Sequence, residues 1–431
     1  MYWGWRNPGR WIVLSWMRIP SHSGHLSDDR PKSGRFPVGM GGGFARNGGR
    51  FPSEYPAGFP RNTHYPTAAI AGAAFLMMLV RWGSLNALEQ DRRRSFWRRW
   101  LGAPLASADT IGRVFTRIQT EPLRDVLHAL YDRLKRNKAL GPSRGHDVLI
   151  LDGHESSASF RRCCPGCLKR RLSDGRIQYY HRLVLAMVSG QRLPFLLDLE
   201  PQRPGEDEVG CAMRLMGRLL TAYPRAFDLV LADGLYLRAP FVSLLRRHHK
   251  HVLLVLKDER RDLLQDARGI FQGQIPEVFD DHPVTRRIWD VEDLTTWSSL
   301  GEPVRVVRSL EQRTVVRQQD GRSETIPAEW IWMTTLPRAR TSGLQVARLG
   351  HDRWEIENQG FREMTTDWHA DHVYRHHPRA IEAFWLMIML TINLFRAFWN
   401  LNLKPVLRQR HTQAYFVRRM AAELSALGSS P

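Results

Sequence analysis

From residue 67 onward the hydrophobic positions follow two different periods, and the switch between them divides the chain. "TAAIAGAAFLMMLVRWGSLNALEQ" (67–90) and "TEPLRDVLHALYDRL" (120–134) space their apolar residues as helices do, the second with leucines at i, i+4 and i+7. The breaker "GPSRG" (141–145) closes this helical stretch, and short uninterrupted apolar runs take over. "DVLILDGHE" (147–155), "YYHRLVLAMVSG" (179–190) and "LPFLLDLEP" (193–201) read as three strands, the last two a hairpin turning at "SGQR". "EVGCAMRLMGRLLTAY" (208–223) returns to helical spacing. "FDLVLADGLY" (227–236) is a further strand, "APFVSLLRRHH" (239–249) a helix, and "HVLLVL" (251–256) a strand.

Three strands, helix, strand, helix, strand is the element order of a ribonuclease-H-like domain. Residues 260–340 break that rhythm. "TRRIWDVEDL", "PVRVVRSLE", "RTVVRQQ" and "EWIWMTTL" predict short strands with no long helix between them, which reads as a β-rich insertion. Helical pattern resumes in "HDRWEIENQGFREM" (351–364) and in "AIEAFWLMIMLTINLFRAFW" (380–399). The predicted class is α/β: a small helical domain over 67–140, then a ribonuclease-H-like catalytic domain over 146–405 carrying the insertion at about 260–340, then a tail over 406–431. Residues 1–66 are rich in Gly, Arg and Pro, with "GMGGGFARNGG" at 39–49 and no sustained period, and predict a disordered arm.

Composition narrows the partner. Sixty-three Lys and Arg against 43 Asp and Glu leave a formal charge of +20, which draws polyanions, and nucleic acid is the default partner. "DRRRSFWRRWLG" (91–102) interleaves arginines with aromatics, either to grip a DNA backbone or as a solvated helix face. The apolar run 68–80 is too short to span a bilayer, and 380–399 ends in arginine and follows "HADHVYRHHPR", so both read as packed core and no membrane is expected. Four cysteines, three of them in "RCCPGC", make no secreted disulfide framework and fit a reducing cytoplasm.

Two apolar runs end in Asp-Gly, at Asp152 and at Asp233. The C-terminal ends of adjacent strands in an open sheet are where ligands bind, so these two carboxylates are expected to be neighbours. In 351–364, α-helical spacing puts Arg353, Glu357, Phe361 and Met364 on one face, so Glu357 is expected inside an apolar stripe, where a carboxylate needs a partner. Either Arg353 neutralises it one turn earlier, or it joins Asp152 and Asp233 around cations. Three carboxylates share a pocket only with positive charge among them, and oxygen ligands favour Mg²⁺ or Mn²⁺, two ions about 4 Å apart for phosphodiester cleavage. Glu355, the alternative acid, lies on another face of an α-helix from Arg353.

At these residues the chain resembles the DDE transposases of IS4-like bacterial insertion sequences, over roughly 65–405. "LDGHE" and "ADGLY" are similar to that family's two aspartate motifs, "RWEIEN" with "FRE" to its glutamate motif, and "WHADHVYRHHPRAIEAF" to its downstream block. The resemblance implies Asp152, Asp233 and Glu357 as metal ligands, Arg353 beside Glu357, and cleavage and joining of transposon ends by a dimer on double-stranded DNA, in a bacterial, nucleoid-associated setting. It also marks two departures: Gly350 stands where the family has Tyr, and Met364 where it has Lys, with His351, Arg362 and Lys257 as candidate stand-ins. The rival readings are a DNA-binding descendant with impaired catalysis and a metal-dependent nuclease that cuts without joining. Cys164-x-x-Cys167 is half of a structural Zn²⁺ site, which His154 or His181 would have to complete; the reading preferred over it is reduced cysteines in a loop.

Overall fold

A computed structural model of the chain describes residues 65–189, 193–258, 261–281, 283–316 and 323–426. The arm expected over 1–66 lies outside the described residues, apart from Tyr65 and Pro66. Helices Thr67–Leu79, Leu85–Gln90, Ser95–Leu101, Ala108–Phe115 and Glu121–Arg136 precede the sheet. In Ser95–Leu101 the aromatics Phe96 and Trp97 are buried while Arg98 and Arg99 face solvent, so the interleaved pattern is an amphipathic helix.

The sheet opens with β1 (Val148–Ser159), β2 (Leu168–Arg171), β3 (Ile177–Ser189) and β4 (Phe195–Pro201), and continues with β5 (Leu229–Ala232) and β6 (His251–Val255). The order β4-β3-β1-β5-β6 has β1, β5 and β6 parallel and β3 antiparallel on both sides, which is the ribonuclease-H-like arrangement. Helices Glu208–Ala222 and Ala239–Arg247 make the two crossovers. β1, β5 and β6 are apolar runs because both of their faces are covered.

The region 260–340 differs from its sequence reading in two ways. It begins with an eleven-residue helix, Asp262–Gln272, and its strands are long: β8 (Val284–Leu294), β9 (Val304–Val316) and β10 (Ser323–Thr334), with the shorter β7 (Glu277–Asp281) outside them. It also has no sheet of its own. β10 pairs antiparallel with β6 through Trp332↔Val255 and Thr334↔Leu253, so one sheet of ten strands runs from β2 to β7.

Helix Pro378–Ala397 is the spine of the helical side. It is apolar and long enough to cross a membrane, but most of it is buried within the protein. Phe384 stacks on Phe115 with ring centroids 4.0 Å apart, joining the spine to the preceding helices. Beside that contact the buried Asp198 on β4 takes Arg124 at 3.0 Å and Arg218 at 2.7 Å, and Arg124 reaches Glu382 on the spine at 2.6 Å. The expected tail is helical, as Pro405–Arg410 and Gln413–Ala426.

Gly350, in helix Gly343–Asp352, lies against the indole of Trp332, and a methyl group there would occupy the ring's own space. Trp332 is 1% exposed and has nowhere to retreat. Gly350→Ala is therefore expected to cost about 1–3 kcal/mol through overpacking, and Gly350→Ala combined with Trp332→Leu less than the sum of the two single losses. Chemical denaturation of the two single variants and the double measures this, and additive losses would show that the indole is not what excludes a side chain.

Candidate active site

β1 and β5 pair in parallel through Val148↔Leu229, Leu149↔Val230 and Ile150↔Leu231. Continuing that register two residues puts Asp152 beside Asp233. β5 stops at Ala232, but β1 runs on, paired with β3, to Ser159; the sequence reading of Asp152 as a strand end gives way to Asp152 at the point where its parallel neighbour ends. Such a point, outside the carboxyl ends of adjacent parallel strands, is where an open sheet offers a crevice. Gly234 is needed in it because a Cβ at that position would come within 2.9 Å of the Val255 carbonyl, and Asp233 Oδ1 fixes the turn by accepting from the Leu235 N–H at 2.9 Å.

Asp152 lies mostly buried, its Oδ1 accepting from the Gly153 N–H at 2.9 Å. Arg353 crosses to it from the helical side: Nη1 lies 3.6 Å from Asp152 Oδ2, and Nη2 lies 3.0 Å from Glu357 Oε1. One guanidinium thus joins two of the three expected carboxylates. Burial is the largest influence on Asp152 and pushes its carboxyl up; Arg353 and the Gly153 amide oppose this, Asp233 and Glu208 add to it, and the outcome is about 6.

Glu357 does not lie in the apolar stripe that α-helical spacing implied. Its side chain is 51% exposed, whereas Phe361 and Met364 are buried. The reason is local: Ile356–Arg362 is a π-helix, whose i→i+5 bonding dissolves the shared i, i+4 face and turns Glu357 out toward the crevice. The segment is held to β1 by His154, which stacks on Phe361 at 4.5 Å. Glu355 goes elsewhere, accepting from the Ser189 hydroxyl at 2.7 Å.

A fourth carboxylate was hidden in the sequence. Glu208, directly after the N-cap Asp207, reads as an ordinary first-turn acid of its helix, yet it is 6% exposed and sits over Gly153, where a Cβ would overlap its carboxylate. Arg182 approaches it at 2.6 Å and the Tyr236 hydroxyl donates to it at 2.9 Å. Burial raises its carboxyl, Arg182 and Tyr236 lower it, and Asp233 raises it further.

Four carboxylates therefore meet two arginines, and the crevice is net acidic inside a strongly basic chain. Its donors are oxygens only, the set that suits hard divalent cations. Asp152, Asp233 and Glu357 do not close into one tight cluster: among the described residues, the group of acid, His or Cys donors found within 4.8 Å of one another is a different one, Cys164, Cys167, His181 and His376.

The positions that depart from the IS4-like signature are both interior. Gly350 is occupied by Trp332's ring, and Met364 is fully buried, so neither place offers a contact to a phosphate. Of the candidate stand-ins, His351 is tied to Glu311 at 2.9 Å, while Lys257, just past β6, and Arg362 are exposed.

A ribonuclease-H-like sheet edged by oxygen donors suits metal-dependent chemistry at phosphorus. The family described as "Transposase DDE domain" matches residues 143–394, more than half of the chain, and the chain belongs to that family: it is a DDE-type DNA transposase. Enzymes of this kind use divalent metal ions and bind DNA. No curated protein matches the chain. Among solved structures, the cryo-EM structure of a piggyBac transposase synaptic complex with hairpin DNA is similar at a TM-score of 0.43 and 11% identity, over 86% of this chain and 74% of that one.

The raised Asp152 carboxyl predicts a pH-dependent stability. A folded-state value of about 6 against the ordinary 3.8 means that the group's contribution is fully favourable below about pH 4 and is lost as pH rises through 6. Asp152→Asn removes that loss. Without divalent cations the variant is expected to exceed the parent by on the order of 2 kcal/mol at pH 7.5, with the gap shrinking toward pH 4. Urea unfolding at the two pH values measures it; a variant less stable at pH 7.5 would contradict the assignment.

Proposed function

We propose that this chain is an IS4-like transposase that cleaves and joins transposon ends, with Asp152, Asp233 and Glu357 as the ligands of two Mg²⁺ or Mn²⁺ ions. The observation that carries the reading is Arg353, whose guanidinium holds Asp152 and Glu357 on either side of a crevice that Asp233 borders. When bound, the cations would supply an activated oxygen nucleophile and a stabilised leaving oxygen for in-line displacement at phosphorus.

The chain's own residues prepare that chemistry. Arg353 keeps two like charges close in the free protein and can release Glu357, the exposed one, to a cation or take up a phosphate. Asp152 shares a proton with solvent near pH 6 and gives it up when positive charge arrives. His154, stacked on Phe361, fixes the height of the π-helical turn over β1 and with it the reach of Glu357. Lys257, Arg362, Arg98 and Arg99 are exposed cations for the DNA backbone. The helices over 67–140 form the DNA-binding region, residues 146–405 the catalytic domain, and the enzyme works as a homodimer on paired ends in the bacterial cytoplasm.

The test separates two glutamates two residues apart. Glu357→Gln keeps the shape and removes one anionic oxygen ligand, so cleavage of a cognate transposon end in Mg²⁺ is expected to fall by about 10³-fold or more, while duplex affinity holds or rises slightly. Glu355→Gln is expected to keep cleavage within about threefold of the parent, because that side chain serves Ser189. A dead Glu355 variant beside an active Glu357 variant would overturn the ligand assignment. A strand-transfer assay on the same proteins distinguishes joining from cutting alone.

A further inference from the structure

Outside the crevice, four soft and borderline donors converge from three distant parts of the chain. Cys164 and Cys167 close the turn "CPGC" before β2, His181 lies on β3, and His376 lies two residues before the spine helix, next to its N-cap His377. The Sγ atoms of Cys164 and Cys167 are 3.6 Å apart, His181 Nε2 is 3.3 Å from each, and His376 Nε2 is 3.4 Å from Cys167 Sγ. We propose that Cys164, Cys167, His181 and His376 bind one zinc ion, which ties the turn before β2 and the strand β3 to the start of helix Pro378–Ala397.

The edges of the cluster carry the argument. Zn–S bonds of about 2.3 Å and Zn–N bonds of about 2.0 Å in a tetrahedron require S–S edges of about 3.8 Å and S–N edges of about 3.5 Å. The four separations given above lie within a few tenths of these values, and all four donor atoms lie within 4.8 Å of one another. A disulfide between the two cysteines needs sulfurs about 2.05 Å apart and would give the two imidazoles nothing to do. Protein atoms fill all four positions, the mark of a closed structural site.

The surroundings support the same occupant. The Cys164 N–H points at Cys167 Sγ at 3.2 Å, and the Cys167 N–H donates to the Cys164 carbonyl at 3.0 Å, so the turn is already folded in the form that presents both sulfurs to one side. Gly166 lets it lie on Pro378, since a Cβ there would come within 2.8 Å of the proline ring. Cys167 and His181 are buried, while Cys163 is exposed and outside the group. His154, the other histidine considered from sequence, is spent on stacking with Phe361 and takes no part. Loading is a ligand exchange without redox change: two thiols lose their protons to solvent as two Zn–S bonds form and hydrating waters leave.

This site stands apart from the Mg²⁺ or Mn²⁺ crevice, and its test does not depend on activity. The full chain purified without chelator is expected to contain one zinc per chain by elemental analysis, and native mass spectrometry to show the sequence mass plus one zinc minus two protons. Cobalt exchanged into the intact protein should give the absorption of tetrahedral cobalt with thiolate ligands. Cys167→Ser is expected to lose the metal and His376→Ala to weaken it by about tenfold or more. Cys163→Ser, Cys211→Ser and Asp152→Asn are expected to retain it. Because the metal content of the parent is measured directly, misfolding of a variant leaves the proposal falsifiable. A parent without stoichiometric zinc and without the cobalt spectrum, or one lighter by two hydrogens as a disulfide requires, would overturn it, as would a His376→Ala variant of unchanged affinity.

Discussion

A carboxylate removed from water has to be answered by positive charge, and the chain meets that requirement in two opposite ways within one sheet. On β4, Asp198 and Glu200 are buried and saturated: Arg124, Arg214 and Arg218 converge on them, and the same arginine that serves Asp198 reaches the spine helix at Glu382. That network is a clamp between the preceding helices, the sheet and the spine. Around the ends of β1 and β5, Asp152 and Asp233 are joined by Glu208 from a helix and Glu357 from the π-helical turn, and among the described residues the arginines paired with this group are Arg182 and Arg353. The clamp needs nothing more. The crevice carries more carboxylates than arginines, and the Asp152 carboxyl is raised first by its burial and then by its acidic neighbours Asp233 and Glu208.

The fold makes that contrast hold still. Parallel pairing of β1 with β5 fixes the separation of Asp152 and Asp233 through the backbone, and the chemistry at that edge inherits the precision of a ladder. Glu357 is delivered differently, from a π-helical turn seated on His154, and it is exposed. Two of the proposed donors are thus set by strand register, and the third stands on an exposed turn outside the sheet.

How far these features could be read from sequence follows the range of the interactions that make them. The order of strands and helices over 147–256 was legible because each element carries its own period, and Asp152 and Asp233 were legible because an apolar run followed by Asp-Gly is a local signal. Glu357 was found by its spacing from Arg353, but its setting was misjudged, since nothing in "RWEIENQGFRE" distinguishes i→i+5 from i→i+4 bonding. Glu208 was hidden behind its helix-start role. His376 lies against Cys167 across 209 residues, and β10 pairs with β6 through Trp332 and Val255, far apart in the chain; such pairings leave no trace in any short window of the sequence. The helix Asp262–Gln272 was lost for a simpler reason, being taken into a segment already read as strands.

The fit of Gly350 against Trp332 ties two positions of different elements together. The indole from strand β10 fills the place where a side chain at 350 would stand, so the two residues are mutually dependent. A tyrosine introduced at 350 by a single substitution would place two aromatic rings in the space of one. Removing the tryptophan first would leave a large void beneath the helix that carries Arg353's neighbours. Either single change therefore carries a packing cost and the two positions can vary only together, whereas exposed cations such as Lys257 and Arg362 can change without touching the core.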